Sequence, residues 1–422
     1  MTGPLRCAGC GARFPLLAPI TRCPECRGLL DLERGQPAAL GDTPAPPRLE
    51  RSAGVERSGV WRFRDLVYPE ARGEDIVSWP EGNTPLVSRD PVNRWTGVPH
   101  LTLKHEGMNP TGSFKDRGMT VAVTHAKRLG VTTIGCASTG NTSASLAAYA
   151  AQAGLRGVVL IPAGKTALGK LAQTVAYGAT ILAVRGDFDE CLRLIDEASG
   201  PLGIYLVNSV NPFRLEGQKT IVFELLEQRQ WRAPDWIVLP AGNLGNTSAF
   251  GKALVEAKAL GLIDRIPRLA AIQAAGAAPF ARSFAEGFAN RHRVQAETVA
   301  TAIRIGDPAS WDRAVAAITA TNGVVAAVTD EEILTAKAVI DGAGVGCEPA
   351  SAASVAGVRK LVKSGVIDAG EDVVAVLTGT ILKDPEILMA KGSAAIIEVE
   401  PTVAGLRDGL GTTRALAGSG KH

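Results

Sequence analysis

Residues 103–130 read LKHEGMNPTGSFKDRGMTVAVTHAKRLG, and this stretch does most to decide the fold and its chemistry. The Pro-Thr-Gly at 110–112 predicts a turn, because proline presets its backbone angle and glycine tolerates tight geometry. Ser113 is placed to cap a helix that runs to Leu129, and Gly130 is placed to end it. The segment therefore predicts a turn followed by one long helix.

Lys115 falls in the first turn of that predicted helix, close to Arg117. Cations prefer the carboxyl end of a helix, so this is a poor position for a structural lysine. An ammonium group disfavoured by its surroundings loses its proton more easily and can act as an amine nucleophile. The alternative is an exposed lysine that pairs with Asp116.

Downstream of this segment, short β-branched runs alternate with Ala- and Leu-rich amphipathic stretches that end at glycine. The predicted strands occupy 132–138, 157–163, 179–186, 236–242, 268–276 and 371–379. The predicted helices occupy 142–154, 167–178, 188–200 and 247–261. Repeated strand–helix–strand units predict an α/β fold with two open, mostly parallel sheets flanked by helices. Ligands bind such sheets beyond the carboxyl ends of the strands.

A glycine-rich loop follows the predicted strand at 236–242 and opens the next helix. Its residues are Gly242, Asn243, Leu244, Gly245 and Asn246. Backbone N–H groups converging at a helix N-terminus favour a bound phosphate without any lysine. The alternative is an ordinary Gly/Asn turn.

The segment GKTALGK at 164–170 satisfies the first part of a nucleotide-binding loop. The following residue is Leu171, where that motif needs a Ser or Thr hydroxyl for Mg²⁺, so an ATPase or GTPase is not favoured. Lys170 could still serve a bound anion from the start of a helix.

Four cysteines at the start of the chain, in the pattern C-x2-C, twelve residues, C-x2-C, predict a zinc ribbon with a structural role. They are Cys7, Cys10, Cys23 and Cys26. The alternatives are two disulfides or four unrelated thiols. The other three cysteines, Cys136, Cys191 and Cys347, are typical of core or surface positions.

The composition is that of a globular protein: of 422 residues, 46% are hydrophobic and 21% charged, with a net charge of +3. This balance lacks the large net positive charge that is typical of proteins that bind nucleic acid or an acidic membrane. The first residues do not resemble a signal peptide, and no apolar run is long enough to span a bilayer. We therefore expect a cytoplasmic protein, with a Pro-rich linker at 36–48.

Three motifs in order, NPTGSFKDRG, STGNTSAS and GNLGN, resemble the fold-type II pyridoxal-phosphate enzymes, whose fold is that of the tryptophan synthase β subunit. Among these the chain is most similar to the threonine synthase family, some members of which carry a four-cysteine ribbon. The resemblance covers about residues 80–390. It runs through EGNTPL (81–86), AIRIGDPASW (302–311), GCEPASAAS (346–354) and LTGTILKD (377–384).

The resemblance implies a division of the chain into domains. The expected parts are a ribbon at 1–35, a linker and N-terminal extension at 36–75, a large cofactor-binding domain at 76–106 and 209–400, a small domain at 107–208, and a tail at 401–422. A homodimer is the family expectation.

The resemblance also implies roles for individual residues. Lys115 would form a Schiff base with pyridoxal phosphate and later move protons. Asn141 would bond the cofactor's phenolic oxygen, Thr378 would face its pyridine nitrogen, and the loop 242–246 would hold its phosphate.

Two further sets of residues would bind the substrate. Ser138, Thr139 and Thr142 would hold its carboxylate at a helix N-terminus. Asn208, Ser209, Arg214 and Lys170 match positions that bind a substrate phosphate, although Arg214 and Lys170 could instead be ordinary surface charges.

The implied reaction converts O-phospho-L-homoserine and water to L-threonine and phosphate. The sequence departs from the family pattern at Thr380 and Ile381, where His or Asn and then Gly usually stand. The rival interpretations are a related pyridoxal-phosphate enzyme, either a cysteate synthase, a serine/threonine dehydratase or an O-acetylserine sulfhydrylase, and an inactive zinc-ribbon binding protein. Intact Lys115, Asn141 and GNLGN favour an enzyme.

Overall fold

The structure of the chain is a computed structural model that describes residues 5–33, 54, 57–164, 168–385, 398–408 and 410. The linker expected at 36–48 lies outside the described residues, as does most of the expected tail. The chain forms one compact unit up to Lys383 and a second unit from Asp384 onward. The second unit includes a short helical stretch at 403–408.

Three sheets organise the first unit. The N-terminal ribbon is a three-stranded antiparallel sheet in the order β2-β1-β3. Its strands are β1 (Leu5–Cys7), β2 (Arg13–Phe14) and β3 (Leu30–Leu32). Leu5, Leu30 and Leu32 belong to the same hydrophobic cluster as the body of the protein, so the ribbon shares the main core.

The larger sheet has six strands in the order β12-β11-β10-β13-β5-β4. They are β4 (Leu86–Val87), β5 (Thr102–His105), β10 (Trp236–Pro240), β11 (Arg268–Ala274), β12 (Val324–Val328) and β13 (Val373–Leu377). All neighbours are parallel except β4, which runs antiparallel to β5 at the edge. The β10, β11 and β13 strands are almost entirely buried, as strands covered on both faces must be.

The smaller sheet is fully parallel, with four strands in the order β8-β7-β6-β9. They are β6 (Thr133–Ala137), β7 (Arg156–Pro162), β8 (Thr180–Val184) and β9 (Ile204–Leu206). Two open, mostly parallel sheets confirm the α/β fold class predicted from the alternating pattern.

Twelve α-helices lie among the described residues of the first unit. They are α1 (Arg64–Val67), α2 (Asp90–Thr96), α3 (Lys115–Arg128), α4 (Asn141–Ala153), α5 (Leu168–Ala176), α6 (Phe188–Ser199), α7 (Pro212–Gln228), α8 (Gly245–Ala259), α9 (Pro279–Ala285), α10 (Trp311–Ala320), α11 (Asp330–Gly342) and α12 (Pro349–Lys363). Within the described residues, none is long and apolar enough to cross a membrane.

The α7 helix is buried along nearly its whole length and packs against both α3 and α8. Gly217 in α7 and Gly118 in α3 allow the two helices to approach closely, since an added Cβ at Gly217 would lie 1.9 Å from the Arg117 carbonyl oxygen. This contact fixes the helix that begins at Lys115 against the centre of the molecule.

The start of α3 differs from the prediction. The helix begins at Lys115 with Phe114 in the capping position, and Ser113 makes no side-chain cap there. The Ser113 hydroxyl lies 3.4 Å from the Lys115 nitrogen, a long contact. The reason is that the backbone of Ser113 pairs with Gly379 in an isolated β-bridge, which holds it outside the helix.

Residues 57–75, expected within a linker and extension, contain short helical turns whose large side chains are buried. Trp61, Phe63 and Tyr68 are all 2% exposed or less. The Trp61 indole donates to the Thr120 hydroxyl on α3 at 2.7 Å. This part of the chain therefore packs against the helix that presents Lys115.

Candidate active site

The turn before α3 is held against the loop that follows β13. The Phe114 nitrogen donates to the Thr378 carbonyl at 3.0 Å, and the Thr380 nitrogen donates to the Gly112 carbonyl at 2.9 Å. Gly112 has φ +84°, and a Cβ there would lie 2.7 Å from the Thr380 side chain. Glycine is therefore required at this position, and the pairing places Lys115 beside the carboxyl edge of the larger sheet.

Lys115 is half-buried, and its Nζ lies 4.2 Å from the centre of the Phe114 ring. Removal from water and the nearby Arg214 charge lower the pKa of Lys115 to about 7, while Glu348 acts in the opposite direction. A substantial fraction of this amine is therefore neutral near pH 7, as a nucleophile requires.

The surroundings of Lys115 correct two steps of the sequence reasoning. Asp116 does not pair with Lys115, because its buried carboxylate accepts hydrogen bonds from Thr111 and from the Ser145 hydroxyl at 2.6 Å. Arg117 is not an uncompensated neighbouring charge, because Glu106 and Glu224 neutralise it. The lowered pKa of Lys115 instead follows from burial and from Arg214.

A fully buried ion network that the sequence reasoning missed lies behind this helix. Arg117 Nε donates to Glu106 and Nη2 donates to Glu224, each at 2.7 Å. Lys104 Nζ also donates to Glu224 at 2.7 Å. The network joins β5, α3 and α7, and no local sequence pattern reveals partners that lie up to 120 residues apart.

Asn141 and Thr378 approach one another from the two sheets. Asn141 begins α4 beside the smaller sheet, and its side-chain amide donates to Glu348 Oε2 at 2.9 Å. Thr378 follows β13 of the larger sheet, and its hydroxyl lies 3.3 Å from Glu348 Oε1 and 3.0 Å from the Ser351 hydroxyl. The structure thus brings both predicted cofactor residues to one buried carboxylate.

Glu348 itself was not predicted as a site residue. It is 2% exposed and immediately precedes α12. The sequence offers one indication of its importance, since Glu348 is the single charged residue among small residues in GCEPASAAS. That segment contributes to the family resemblance, but the resemblance assigns no role to this side chain.

The loop after β10 has the geometry of an anion cradle. Leu244 adopts φ +63°, so the chain turns sharply into α8, whose first-turn N–H groups have no acceptor within the helix. A Cβ at Gly242 would lie 2.8 Å from the Ile303 Cα, which leaves room only for glycine. The Asn243 side chain braces the loop through Ser209 and the Ala309 nitrogen, both at 2.6 Å.

Unpartnered polar atoms lie beside this cradle. The buried hydroxyls of Thr247 and Ser310 and the buried Asn246 side-chain oxygen have no hydrogen-bond partner among the described residues. Buried polar groups are normally satisfied, so these atoms point to a polar ligand that completes the site. Backbone N–H donors together with hydroxyl donors fit the phosphate of pyridoxal phosphate.

The loop before α4 provides a second helix N-terminus. Ser138, Thr139 and Thr142 are half-buried there, and the Ser138 hydroxyl accepts from the Gly140 nitrogen at 3.3 Å. Gly140 in the capping position offers no side chain to the first-turn N–H groups. These groups therefore remain available to a carboxylate.

Arg214 on α7 is a buried cation that pairs with no carboxylate of the described residues. It is 1% exposed, its Nη1 donates to the Val207 carbonyl at 3.1 Å, and its Nε and Nη2 have no partner within the described chain. Burial lowers the pKa of Arg214 to about 10. Leaving a buried guanidinium unpaired is costly, so its surroundings suit an anionic ligand.

Two of the other residues predicted to bind the substrate phosphate hydrogen-bond within the chain, and the side chain of the third is not described. Asn208 exchanges two hydrogen bonds with the Ala137 backbone, at 3.2 and 3.1 Å, and so extends the pairing of β9 with β6. Ser209 accepts from Asn243. The side chain of Lys170 lies outside the described residues.

The four N-terminal cysteines form a compact cluster with all Sγ atoms within 4.8 Å of one another. Cys7 and Cys26 are 3.4 Å apart and Cys10 and Cys23 are 3.6 Å apart, and all four are free thiols. A tetrahedral zinc with Zn–S bonds of about 2.3 Å needs sulfurs roughly 3.8 Å apart, so the donor set fits zinc.

The chain matches the family described as pyridoxal-phosphate dependent enzyme over residues 77–379. Its sequence is 47% identical over 403 residues to a threonine synthase of Methanosarcina acetivorans, covering 94% of this chain and 95% of the relative. It is 45% identical over 403 residues to a threonine synthase of Methanocaldococcus jannaschii, covering 94% and 96%.

Among solved structures, threonine synthase from Escherichia coli matches with a TM-score of 0.69 at 20% identity. The match covers 92% of this chain and 90% of the other. At this identity the likeness shows the fold, which is that of a pyridoxal-phosphate enzyme with two flanked sheets.

Proposed function

The chain belongs to the pyridoxal-phosphate-dependent enzyme family and, within it, to the threonine synthases, and on that premise we propose its reaction. It is a carbon–oxygen lyase that converts O-phospho-L-homoserine and water to L-threonine and phosphate.

The observation that carries the proposal is the buried Arg214 guanidinium, whose Nε and Nη2 have no hydrogen-bond partner among the described residues. The cofactor's phosphate has a separate cradle at 242–246, built from backbone N–H groups. The N-terminus of α4 serves the substrate carboxylate, so a further cationic site is needed only if the substrate carries its own phosphate. Dehydratases act on unphosphorylated amino acids and have no use for such a site.

Each side chain then has a defined task. Lys115 would hold the cofactor at its aldehyde carbon, and its neutral amine would take the substrate Cα proton and return protons later. The α4 N-terminus, with Ser138, Thr139 and Thr142, orients the substrate carboxylate. Bound pyridoxal phosphate supplies a conjugated ring that stores electrons from the broken bonds.

Arg214 binds the substrate phosphate at the leaving-group end and stabilises the charge as phosphate departs. Ser209 contributes its hydroxyl from the loop between β9 and α7, which is hydrogen-bonded to the Asn243 side chain. Asn208 acts mainly by positioning this loop, since its amide is bonded to Ala137. The proposal also includes Lys170 as a second cation that binds the same phosphate.

The four cysteines hold a zinc ion with a structural role. The sulfur separations of 3.4 and 3.6 Å support this, and no catalytic motif lies in residues 1–35. The homodimer and the cytoplasmic location stay predictions from the family resemblance.

A substrate panel tests the function. Protein loaded with pyridoxal phosphate is given O-phospho-L-homoserine, O-phospho-L-serine, L-serine or L-threonine, and phosphate, threonine and keto acid are measured. We expect equal amounts of threonine and phosphate from O-phospho-L-homoserine and little product from the others. Faster turnover of O-phospho-L-serine would indicate a cysteate synthase, and keto acid from L-serine a dehydratase.

Lys115→Ala tests the attachment of the cofactor. We expect loss of turnover and of the borohydride-reducible link to the cofactor, with the fold retained by circular dichroism. Lys127→Ala, on the same helix but exposed, serves as the control and should keep both. A reducible link that survives in Lys115→Ala would assign the chemistry to another lysine.

A further inference from the structure

Glu348 has no task in the reaction as proposed, although it lies in the middle of the site. Its carboxylate is 2% exposed and contacts Asn141 through Oε2 at 2.9 Å and Thr378 through Oε1 at 3.3 Å. A buried carboxylate costs free energy unless it is well paired, so its place between two ring-binding residues calls for a functional reason.

The contacts of Glu348 bridge the two sheets. Asn141 begins a helix that packs on β6 and β7, whereas Thr378 directly follows β13. Gly379 allows the carboxylate to approach the backbone, because a Cβ there would lie 2.5 Å from Glu348 Oε1. The Glu348 nitrogen also donates to the Gly379 carbonyl at 3.2 Å, which fixes the residue against this loop.

The chemistry of the carboxylate decides how Asn141 faces the pocket. A carboxylate only accepts hydrogen bonds, so it must meet the NH₂ end of the Asn141 amide and not its oxygen. That NH₂ has two N–H donors, and the bond to Glu348 uses one. The other donor remains for a phenolic oxygen, an acceptor that the opposite amide orientation would repel.

The same argument applies to Thr378. Its hydroxyl has one proton and lies within reach of both Glu348 and Ser351. An acceptor-only carboxylate draws that proton toward itself and leaves the hydroxyl lone pairs free to accept a hydrogen bond from a protonated ring nitrogen.

We propose that Glu348 is a positioning residue for the cofactor: its carboxylate orients the Asn141 amide and the Thr378 hydroxyl toward the ring of bound pyridoxal phosphate. The inference rests on the proposed function, which assigns Asn141 and Thr378 to the ring. Its charge also acts on Lys115, whose pKa it raises against the effects of burial and Arg214.

Two variants of the full chain test the inference, Glu348→Ala and Glu348→Gln. Pyridoxal phosphate is titrated into each cofactor-free protein, and its dissociation constant is read from the visible absorbance of the Lys115-bound form. The same absorbance is then followed against pH. Glu216→Gln is the control, because Glu216 is a fully buried carboxylate that pairs with Lys219 and Lys252 outside the site.

We expect Glu348→Ala to weaken pyridoxal phosphate about tenfold or more, the scale of one lost charge-assisted hydrogen bond. Glu348→Gln keeps the shape and one acceptor but removes the charge, so it should weaken binding less. It should also lower the pH midpoint of the absorbance change by roughly one unit, because a nearby negative charge favours the protonated form. Glu216→Gln should change neither quantity, even where it lowers the melting temperature.

An unchanged dissociation constant in Glu348→Ala together with an unchanged midpoint in Glu348→Gln would overturn the proposal. If Glu348→Ala does not fold, the midpoint in Glu348→Gln decides alone. Failure of the proposed function is distinguishable, because it appears in the substrate panel as faster turnover of O-phospho-L-serine or as keto acid from L-serine, whatever the Glu348 variants do.

Discussion

At the scale of single residues, the site depends on charges held in unusual surroundings. Lys115 is an amine whose ammonium form is disfavoured, and Arg214 is a guanidinium with no partner for two of its nitrogens among the described residues. Either group alone would lower the stability of the folded protein. Together they fit a pocket that takes an amine-reactive cofactor and a substrate with its own phosphate.

The protonation of Lys115 gives the first prediction. In cofactor-free protein, acylation of Lys115 by an amine-specific reagent should rise with pH through a midpoint near 7, since only the neutral amine reacts and its pKa is about 7. Arg214→Ala removes a positive neighbour and should move the midpoint upward. Mass spectrometry of the labelled peptide measures it, and a midpoint above about 9, the range of an exposed lysine, would contradict the assignment.

The second prediction concerns Arg214 and the substrate phosphate. Arg214→Ala should lower kcat/KM for O-phospho-L-homoserine roughly 10- to 150-fold, the equivalent of about 1.5–3 kcal/mol for a charge-assisted hydrogen bond. The affinity for pyridoxal phosphate should barely change, because its cradle lies in a different loop. Arg229→Ala, at the end of the same helix and paired with Asp372, is the control. An unchanged kcat/KM would place the substrate phosphate elsewhere.

Residue-level sequence reasoning found the motifs but not their partners. Lys115 stands out by its position in the first turn of a helix, whereas Asn141 and Thr378 stand out only through the family resemblance. Glu348 and the carboxylates around Arg117 do not, because their roles depend on neighbours that only folding brings together. For the same reason the sequence attributed part of the Lys115 environment to Arg117, whose charge is already neutralised.

At the scale of elements, the six strands and five helices predicted from the sequence are all present, whereas α7, α10, α11 and α12 and the strands β5, β9 and β12 were not predicted. The predicted strand at 132–138 is Thr133–Ala137, and the predicted helix at 247–261 is Gly245–Ala259. Ends were less predictable, because pairing between distant segments moves them. The bridge from Ser113 to Gly379 delays the start of α3, and no feature of residues 110–115 alone reveals it.

The third prediction tests the loop between β10 and α8. Gly242→Ala places a methyl group 2.8 Å from the Ile303 Cα, a backbone atom that cannot move freely. Such overpacking costs about 1–3 kcal/mol and should displace the first-turn N–H groups of α8. We expect a lower melting temperature and weaker binding of pyridoxal phosphate in a fluorescence titration.

A second glycine serves as a control that distinguishes the effect of steric overlap from the effect of replacing any glycine by alanine. Gly200 caps α6 at φ −63°, and a Cβ there meets no atom within 4 Å. Gly200→Ala should therefore leave both the melting temperature and cofactor binding nearly unchanged. Normal cofactor binding in Gly242→Ala would show that this loop does not hold the cofactor phosphate.

At the scale of the whole molecule, the ribbon contacts helices associated with both sheets of the body. Arg27 pairs with Asp196 on α6, beside the smaller sheet. Arg313 on α10 pairs with Asp31 at 2.8 Å and donates to the Leu30 carbonyl, and Lys252 on α8 donates to the Leu32 carbonyl at 3.2 Å. The ribbon is therefore part of the scaffold around the site, although it contributes no reacting group.

The last prediction follows from that arrangement. Cys10→Ser removes one of four ligands and should lower the zinc content below one per chain and the melting temperature by a few degrees, because structural zinc contributes directly to folding. The visible band of bound pyridoxal phosphate should remain, since the Lys115 pocket shares no residue with the ribbon. Cys191→Ser, a buried thiol on α6 outside the cluster, should keep its zinc. Metal analysis of freshly purified protein tests the zinc site, and four unpaired thiols without zinc would contradict it. Loss of the cofactor band in Cys10→Ser would show instead that the ribbon supports the active site directly.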